Sequence, residues 1–283
     1  METENQVKCG LVGIPDHEAV LNVGGRIGAA LGPKKFREYF YQMRGQKPVS
    51  PHLKDCGDIN PITDDISKNH NLAAKLISEA HKRYQTTLVV GGSHDHGYSQ
   101  LLGVKNSLSS KAKMGCINID AHLDVRSSIP KITSGSPFYL AVENNVLNPK
   151  DFIEFGIQRH CNAQILWDYV KSKKIEVLPL EKMRQGKAVA TFQKALKKLK
   201  TRCDFIVISF DLDAVASAFA PGVSAPQSEG LSATEALEIA EISGSEKAVT
   251  SFGIFELNPV HDVDDKTSRL AATLAYHFLS SRI

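Results

Sequence analysis

A chain of 283 residues with 42% apolar and 23% charged positions has the ordinary balance of a soluble globular protein, and large α/β domains reach this length as one unit. Its net charge of +3 gives no footprint of a nucleic-acid-binding face, and no run approaches the ~18 apolar residues that span a bilayer. Neither nucleic acid nor a membrane is expected as a partner, and a single domain over residues 1–283 is expected.

The opening residues, Met1 to Gln6, lack the basic-then-apolar order of a secretory signal. An apolar run at 7–14 predicts the first strand, and helical spacing predicts a helix over 64–84. Strands follow at 87–91, 114–119 and 152–156, then a helix over 162–173 and a strand at 176–179. The helix predicted over 187–200 carries a basic run from Lys194 to Arg202, with Ala195, Leu196 and Leu199 turned inward and the lysines toward solvent. A strand at 205–210, a helix over 233–242, a strand at 249–255 and a helix over 266–281 complete the pattern. Ser232-Ala-Thr-Glu235 has the spacing of a capping box. The five cysteines, Cys9, Cys56, Cys116, Cys161 and Cys203, are widely spaced and form no Cys-x-x-Cys pair, so reduced thiols in the cytoplasm are expected. Near-continuous apolar strands alternating with helices predict a three-layer α/β/α fold around a mostly parallel sheet. Ligands of such sheets bind outside the carboxyl ends of the strands.

Three polar clusters sit where that rule directs attention. In Leu88-Val-Val-Gly-Gly-Ser-His94-Asp-His96, two glycines allow close backbone approach and deliver His94 to the sheet's edge. In Cys116-Ile-Asn-Ile-Asp120-Ala-His122-Leu-Asp124-Val-Arg126, continued strand geometry would turn Asp120, His122 and Asp124 to one side. In Phe205-Ile-Val-Ile-Ser-Phe-Asp211-Leu-Asp213, two more carboxylates end an apolar strand. Carboxylates converging there would repel and desolvate one another without a cation. Carboxylates with some imidazole suit hard to borderline divalent ions, with Mn2+ favoured. The number of ligands calls for two ions, since some carboxylates can bridge.

Gly-Gly-x-His, Asp-Ala-His-x-Asp and Ser-x-Asp-x-Asp, in that order and each ending a strand, resemble the three metal-binding motifs of the ureohydrolase (arginase/agmatinase) superfamily. Gly13-Ile-Pro and the segment from Asn22-Val-Gly-Gly-Arg26 to Pro33 resemble that family's opening, and Phe255-Glu256-Leu-Asn-Pro259 resembles its late glutamate motif. The resemblance covers nearly the whole chain. It implies an arginase-like fold, two Mn2+ per chain, and His94, Asp120, His122, Asp124, Asp211 and Asp213 as metal ligands, with Asp120 and Asp213 among the bridging groups. It also implies that Asp124 hydrogen-bonds the nucleophile and carries its proton, and that Glu256 binds the positively charged nitrogen group of the substrate.

The chain departs from arginases and agmatinases in two places. The segment Ile132-Thr-Ser-Gly-Ser-Pro-Phe138 has no histidine where those enzymes commonly carry one, and Ala216-Ser217 replaces their further Asp-Pro. Asp-Ala-His-Leu-Asp-Val-Arg, Ser-Gly-Ser-Pro-Phe and Ala220-Pro-Gly-Val-Ser-Ala-Pro226 are similar to the formimidoylglutamase branch. Phe155-Gly-Ile-Gln158, with Asn162 just beyond, points the same way. That branch hydrolyses N-formimino-L-glutamate to L-glutamate and formamide in histidine degradation. Such a substrate has two carboxylates and needs cations; Arg126 can offer a bidentate fork, with Arg159 and His160 at another predicted strand end. The other reading of Arg126 is an ion pair with a neighbouring acid. Two alternatives stand beside this function: a guanidino hydrolase releasing urea, and a non-catalytic binding protein on the same fold. A small-molecule substrate and a homo-oligomer are expected.

Overall fold

Strands that are mostly apolar along both faces must be covered on both sides, because neither can be left to water. The computed structural model, which describes residues 7–283, builds one sheet from them. Its strands are β1 (Cys9–Ile14), β2 (Leu53–Asp58), β3 (Thr87–Gly91), β4 (Met114–Ile119), β5 (Phe152–Ile157), β6 (Glu176–Pro179), β7 (Phe205–Asp211) and β8 (Val249–Phe255). The helices are α1 (Glu18–Leu21), α2 (Gly32–Phe40), α3 (Ile66–Tyr84), α4 (His96–Ser107), α5 (Pro137–Glu143), α6 (Gln164–Lys173), α7 (Ala188–Lys200), α8 (Ala233–Ser245) and α9 (Lys266–Ser280). The secretory-signal expectation concerns Met1–Gln6, which lie outside the described residues. No helix among the described residues is long and apolar enough to cross a membrane.

The sheet runs in the order β2-β1-β3-β8-β7-β4-β5-β6, and every pairing is parallel. Alternate strand residues feed two cores. Leu11, Leu88, Ile117 and Ile208 pack with Phe36 of α2, Leu199 of α7, Ile239 of α8 and Phe278 of α9. Val12, Val89, Cys116 and Val207 pack with Ile77 of α3, Leu101 of α4, Phe138 of α5 and Val170 of α6. These are the three layers the alternation of strands and helices predicts. Burying one such Phe or Ile contributes roughly 1.5–3 kcal/mol, so the two cores dominate the stability of the fold.

Some elements had no clear signal in the sequence. β2 reads Leu-Lys-Asp-Cys-Gly-Asp and is largely solvated, because it is an edge strand paired only with β1; charges there discourage further strand pairing. α4 contains Gly97 and Gly103, which lower helix propensity. A Cβ on Gly103 would lie 2.7 Å from Ile77 Cβ and 2.8 Å from the Ala74 carbonyl oxygen, so this glycine lets α3 and α4 approach closely. The capping box is formed: the Glu235 amide donates to Ser232 Oγ at 3.2 Å, and the Ser232 amide donates to Glu235 Oε2 at 2.9 Å.

The strand order positions the site. β3, β8, β7 and β4 lie side by side at the centre of the sheet although they come from distant parts of the chain. Their carboxyl ends carry, respectively, His94, Glu256, Asp211 with Asp213, and the Asp120–Asp124 loop.

Candidate metal centre

Each of these side chains is delivered by a specific local device. After β3, Gly92 passes so close to the backbone of Asp16 that a Cβ would stand 1.8 Å from the Asp16 carbonyl oxygen. The Ser93 amide donates to that same oxygen at 2.9 Å, and the His94 amide donates to Glu256 Oε1 at 2.9 Å. After β4 the expected continuation of strand geometry does not occur, because β4 ends at Ile119. The chain instead curls: the His122 amide donates to Asp120 Oδ1 at 2.7 Å, and Asp124 adopts a left-handed φ of 46°. Asp120, His122 and Asp124 are therefore gathered by a loop, not by the two-residue period of a strand. At the end of β7 a 3-10 turn (Leu212–Ala214) returns the Asp213 amide to Asp211 Oδ1 at 2.8 Å. Left-handed backbone at a non-glycine residue is strained and concentrates at functional sites; Glu256, at φ 64°, is a second instance here.

The amides hold one oxygen of several carboxylates and leave the other facing inward. His94 Nδ1 has Asp120 Oδ2 at 3.0 Å, Asp124 Oδ2 at 3.0 Å and Asp211 Oδ2 at 3.1 Å around it. His122 Nδ1 lies 3.0 Å from Asp213 Oδ2 and 3.4 Å from Asp120 Oδ1. One imidazole N–H can satisfy one acceptor, not three. None of the three oxygens has hydrogen-bond geometry to His94 Nδ1, and this buried nitrogen is left without a partner. The other ring nitrogen, Nε2, is 2.9 Å from Ser209 Oγ. A Ser209 oxygen accepting from Nε2–H leaves Nδ1 as a bare lone pair aimed at three carboxylates, an arrangement that a cation resolves.

Without a cation, the same carboxylates favour a proton on the ring in its place. Burial opposes a charged imidazole at His94, yet the carboxylates of Asp120, Asp124 and Asp211 overcome it and hold its pKa well above the ordinary value. Burial, reinforced by Asp213 and Asp120, pushes Asp211 well above the usual carboxylate range. Burial also carries Asp213 to about 6, although the charge of His122 opposes it. The ligand atoms fall into two groups, His94 with Asp120, Asp124 and Asp211, and His122 with Asp120 and Asp213. Asp120 belongs to both. Oxygen-rich sets with one imidazole each, sharing a carboxylate, fit a pair of divalent cations such as Mn2+.

The cluster opens into a cavity of about 220 Å³ whose wall includes Glu256, Arg126, Ser134 and Ser224. Larger concavities exist, one of about 480 Å³ beside Asp64 and Lys131, but no comparable convergence of ligand atoms lines it. Burial pushes Glu256 up to about 8, against the His94 amide that stabilises its charge. Its Oε1 accepts from that amide, and its Oε2 is buried without a partner. Arg126 is exposed at the mouth, and no carboxylate among the described residues lies within ion-pair reach of it. Arg159 is placed elsewhere: it is 69% exposed, lies 2.7 Å from Glu181, and lines a separate concavity with Trp167 and Lys182.

The sequence profile of the Arginase family matches residues 7–280. The chain belongs to the arginase family. Formimidoylglutamase from Staphylococcus aureus (strain bovine RF122 / ET3-1) is 32% identical over 270 residues, covering 95% of this chain and 85% of that protein. Among solved structures, Trypanosoma cruzi formiminoglutamase with Mn2+ superposes with a TM-score of 0.89 at 27% identity, covering 99% of this chain and 95% of the other. Formimidoylglutamase from Bacillus subtilis superposes with a TM-score of 0.87 at 26% identity, covering 98% and 87%. This arginase-family chain is an enzyme.

Several residues that shape this arginase-family site carry no ligand motif of their own. Arg26 ties the opening segment to the Ala220–Pro226 loop, donating from Nε to the Ser224 carbonyl at 3.1 Å and from its terminal nitrogen to that of Val223. Asn258 donates to the Arg26 carbonyl at 2.9 Å, so the late Glu-Leu-Asn-Pro motif holds the same segment. Beneath the centre, Asn118 donates to Glu154 Oε2 at 2.9 Å and to Asp120 Oδ2 at 3.3 Å. Burial, aided by the charges of Asp120 and Asp124, pushes Glu154 well above its usual range, though Asn118 opposes the shift. Ser209, Asn118 and Glu154 each interrupt an apolar strand. A polar residue at a position buried on both faces is the signal that could have found them, because such a group needs a partner.

Proposed function

We propose that this protein is a binuclear manganese hydrolase that converts N-formimino-L-glutamate and water to L-glutamate and formamide, a step of histidine degradation. One observation carries the substrate assignment. One cavity is lined both by Glu256, whose buried Oε2 has no partner, and by Arg126, whose guanidinium has no acidic partner among the described residues. Formiminoglutamate is complementary to that pair: a cationic amidine at one end and carboxylates at the other. The names of the formimidoylglutamase relatives support the same substrate.

Hydrolysis adds the oxygen of water to the formimino carbon and breaks that carbon's bond to the glutamate nitrogen, which departs with a proton. His94, Asp120, His122, Asp124, Asp211 and Asp213 would hold the two ions, which would supply a water of lowered pKa. Glu256 orients the amidine by accepting from its nitrogen. Its pKa of about 8 falls when that cation arrives, so the pair forms between ionised partners. Asp124, which belongs to the cluster and also lines the cavity, is placed to take a proton from the attacking water and pass it to the departing amine. Arg126 receives a substrate carboxylate and sets the distance between it and the amidine. The five unpaired cysteines support a reducing compartment, the cytoplasm. A sheet drawing strands from residue 9 to residue 255 supports one catalytic domain over residues 1–283.

The test is a substrate panel on Mn2+-loaded protein, with glutamate, formamide and urea read together. Glutamate and formamide in equal amounts from formiminoglutamate are expected, with no urea from agmatine or arginine. Urea from a guanidino substrate, at higher efficiency than formamide from formiminoglutamate, would replace this reading. Full activity after exhaustive chelation would remove the metals from it.

A further inference from the structure

Behind the His94 loop lies another set of buried histidines and carboxylates: His70 of α3, Asp95, His96 at the start of α4, and Asp16 after β1. Three of them, His70, Asp95 and His96, are close enough to hold a cation. Their geometry is nevertheless unlike that of the metal centre. His70 Nε2 is 2.7 Å from Asp95 Oδ2, and His96 Nε2 is 3.0 Å from Asp16 Oδ2, while the two pairs approach each other only to 4.0 Å. The outer atoms are also occupied. His96 Nδ1 meets Ser99 Oγ at 2.9 Å, Asp95 Oδ1 accepts from Ser93 Oγ at 2.5 Å, and Asp16 Oδ1 accepts from the Glu18 amide at 2.9 Å. None of the four appears among the buried side chains with an unpaired polar atom. The set is a hydrogen-bonded clasp with imidazoles and carboxylates matched one to one.

The clasp grips the residues on either side of His94. Ser93 is held by its amide on the Asp16 carbonyl and by its hydroxyl on Asp95, and Asp95 is held by His70. A second brace does the same around His122. Asn162 Oδ1 accepts from the Leu123 amide at 2.8 Å, and its Nδ2 donates to the Ala121 carbonyl at 3.0 Å and to that of Gln158 at 2.8 Å. The two braces share no residue and come from opposite sides of the sheet's centre, one from β1 and α3, the other from the end of β5. Asp124 is near His122 in sequence but is hung from the 134–138 segment instead, through the Phe138 amide on its carbonyl and the Arg126 amide on that of Gly135.

We propose that the two halves of the metal centre are held by separate braces, with His70 and Asp95 positioning the His94 turn and Asn162 positioning the loop that carries His122, so that loss of one brace weakens mainly the metal position nearest it, the shared Asp120 coupling the two only in part. This rests on the two-metal reading above. The positioning residues touch neither substrate nor metal; they fix the backbone beside each imidazole, one step further out than Ser209, which bonds the His94 ring itself and is of the kind whose loss typically changes metal affinity roughly 10–100-fold.

The experiment titrates metal-free, full-length protein with Mn2+ and follows binding by calorimetry. Wild type should show two sites. His70→Phe keeps an aromatic ring against His96 and Tyr98, whose rings lie 5.1 and 5.4 Å away, but removes the donor to Asp95. It should weaken one site up to about tenfold and affect the other much less. His70→Gln, which returns a donor near the same place, should recover most of that loss, a rescue that loss of packing alone would not give. Asn162→Leu should weaken the opposite site. Asp211→Asn and His122→Ala, each removing a ligand from one group only, assign which site is which. Should His70→Phe fail to fold by circular dichroism, Asp95→Asn carries the same arm. His70→Phe and Asn162→Leu each weakening both sites alike, or neither weakening either, overturns separate bracing. A wild type that takes up fewer than two Mn2+ fails the two-metal reading instead.

Discussion

At the scale of single residues, function depends on what a side chain lacks as much as on what it touches. Glu256 lines the cavity with one oxygen bonded to the His94 amide and the other buried without a partner, and Arg126 has no acid to pair with among the described residues. Glu256→Gln should keep both metals and lower kcat/KM by roughly tenfold to a hundredfold, since a charge-assisted hydrogen bond contributes about 1.5–3 kcal/mol. Wild-type turnover by that variant would remove Glu256 from the mechanism. Arg126→Ala should raise KM for formiminoglutamate by a similar factor with metal content unchanged. Arg126→Lys should recover only part, because it restores the charge without the planar fork. Normal binding by Arg126→Ala would show that the substrate carboxylates are recognised elsewhere. Arg159 gives the contrasting case. Its sequence position at a strand end resembles that of Arg126, but its guanidinium is committed to Glu181.

At the scale of elements, loops at strand ends decide whether the right residues arrive at the right place. Gly92 lies against the Asp16 carbonyl, where even a methyl group has no room, and it immediately precedes the clasped Ser93-His94-Asp95 turn. Gly92→Ala should destabilise the protein by about 1–3 kcal/mol and also weaken Mn2+ binding, because the clash is relieved only by moving that turn. Ser232→Ala is the matched control. It removes the capping box of α8 and should cost about 1 kcal/mol in a denaturant titration with no change in metal affinity or turnover. If the two variants affected metal binding alike, the link between the Gly92 turn and the site would be wrong. The elements hardest to read were those whose residues serve a neighbour. β2 is polar because it is an edge, and α4 contains glycine because α3 lies against it.

At the scale of the whole molecule, the buried carboxylate cluster holds electrostatic tension that bound cations would relieve. Asp213 moves from an ordinary value of 3.8 to about 6 and Glu256 from 4.5 to about 8, in both cases chiefly through burial. In metal-free protein the folded state therefore holds these protons to higher pH than the unfolded chain does. Their contribution to stability is fully present below about pH 4 and is lost as pH rises through about 8, where both states are ionised. Bound cations keep the carboxylates ionised and remove that dependence. The difference in urea midpoint between Mn2+-loaded and metal-free protein should widen steadily from about pH 5 to about pH 8. A constant or narrowing difference would mean that these carboxylates are not buried against one another without metal.

What the amino-acid sequence determined by itself is local: which runs are too apolar to be anything but buried strands, and which polar residues stand immediately after them. Leu88-Val-Val-Gly-Gly-Ser-His94 and Ile117-Asn-Ile-Asp120 announce their strand ends because apolar period and glycine content change abruptly there. How the residues meet was decided by tertiary structure. The order β3-β8-β7-β4 makes neighbours of strands that the chain visits far apart, which is how Glu256 comes to hold the His94 amide. The left-handed turn at Asp124 replaces the strand alternation that the sequence suggests, because amides returning to Asp120 and Asn162 draw the chain out of the sheet. The commitment of Arg159 to Glu181, and the pairing of His70 with Asp95 across α3 and the His94 turn, are likewise long-range matters. Composition and spacing identify a group's chemistry, but its partner is fixed only when packing brings two distant segments within hydrogen-bond distance.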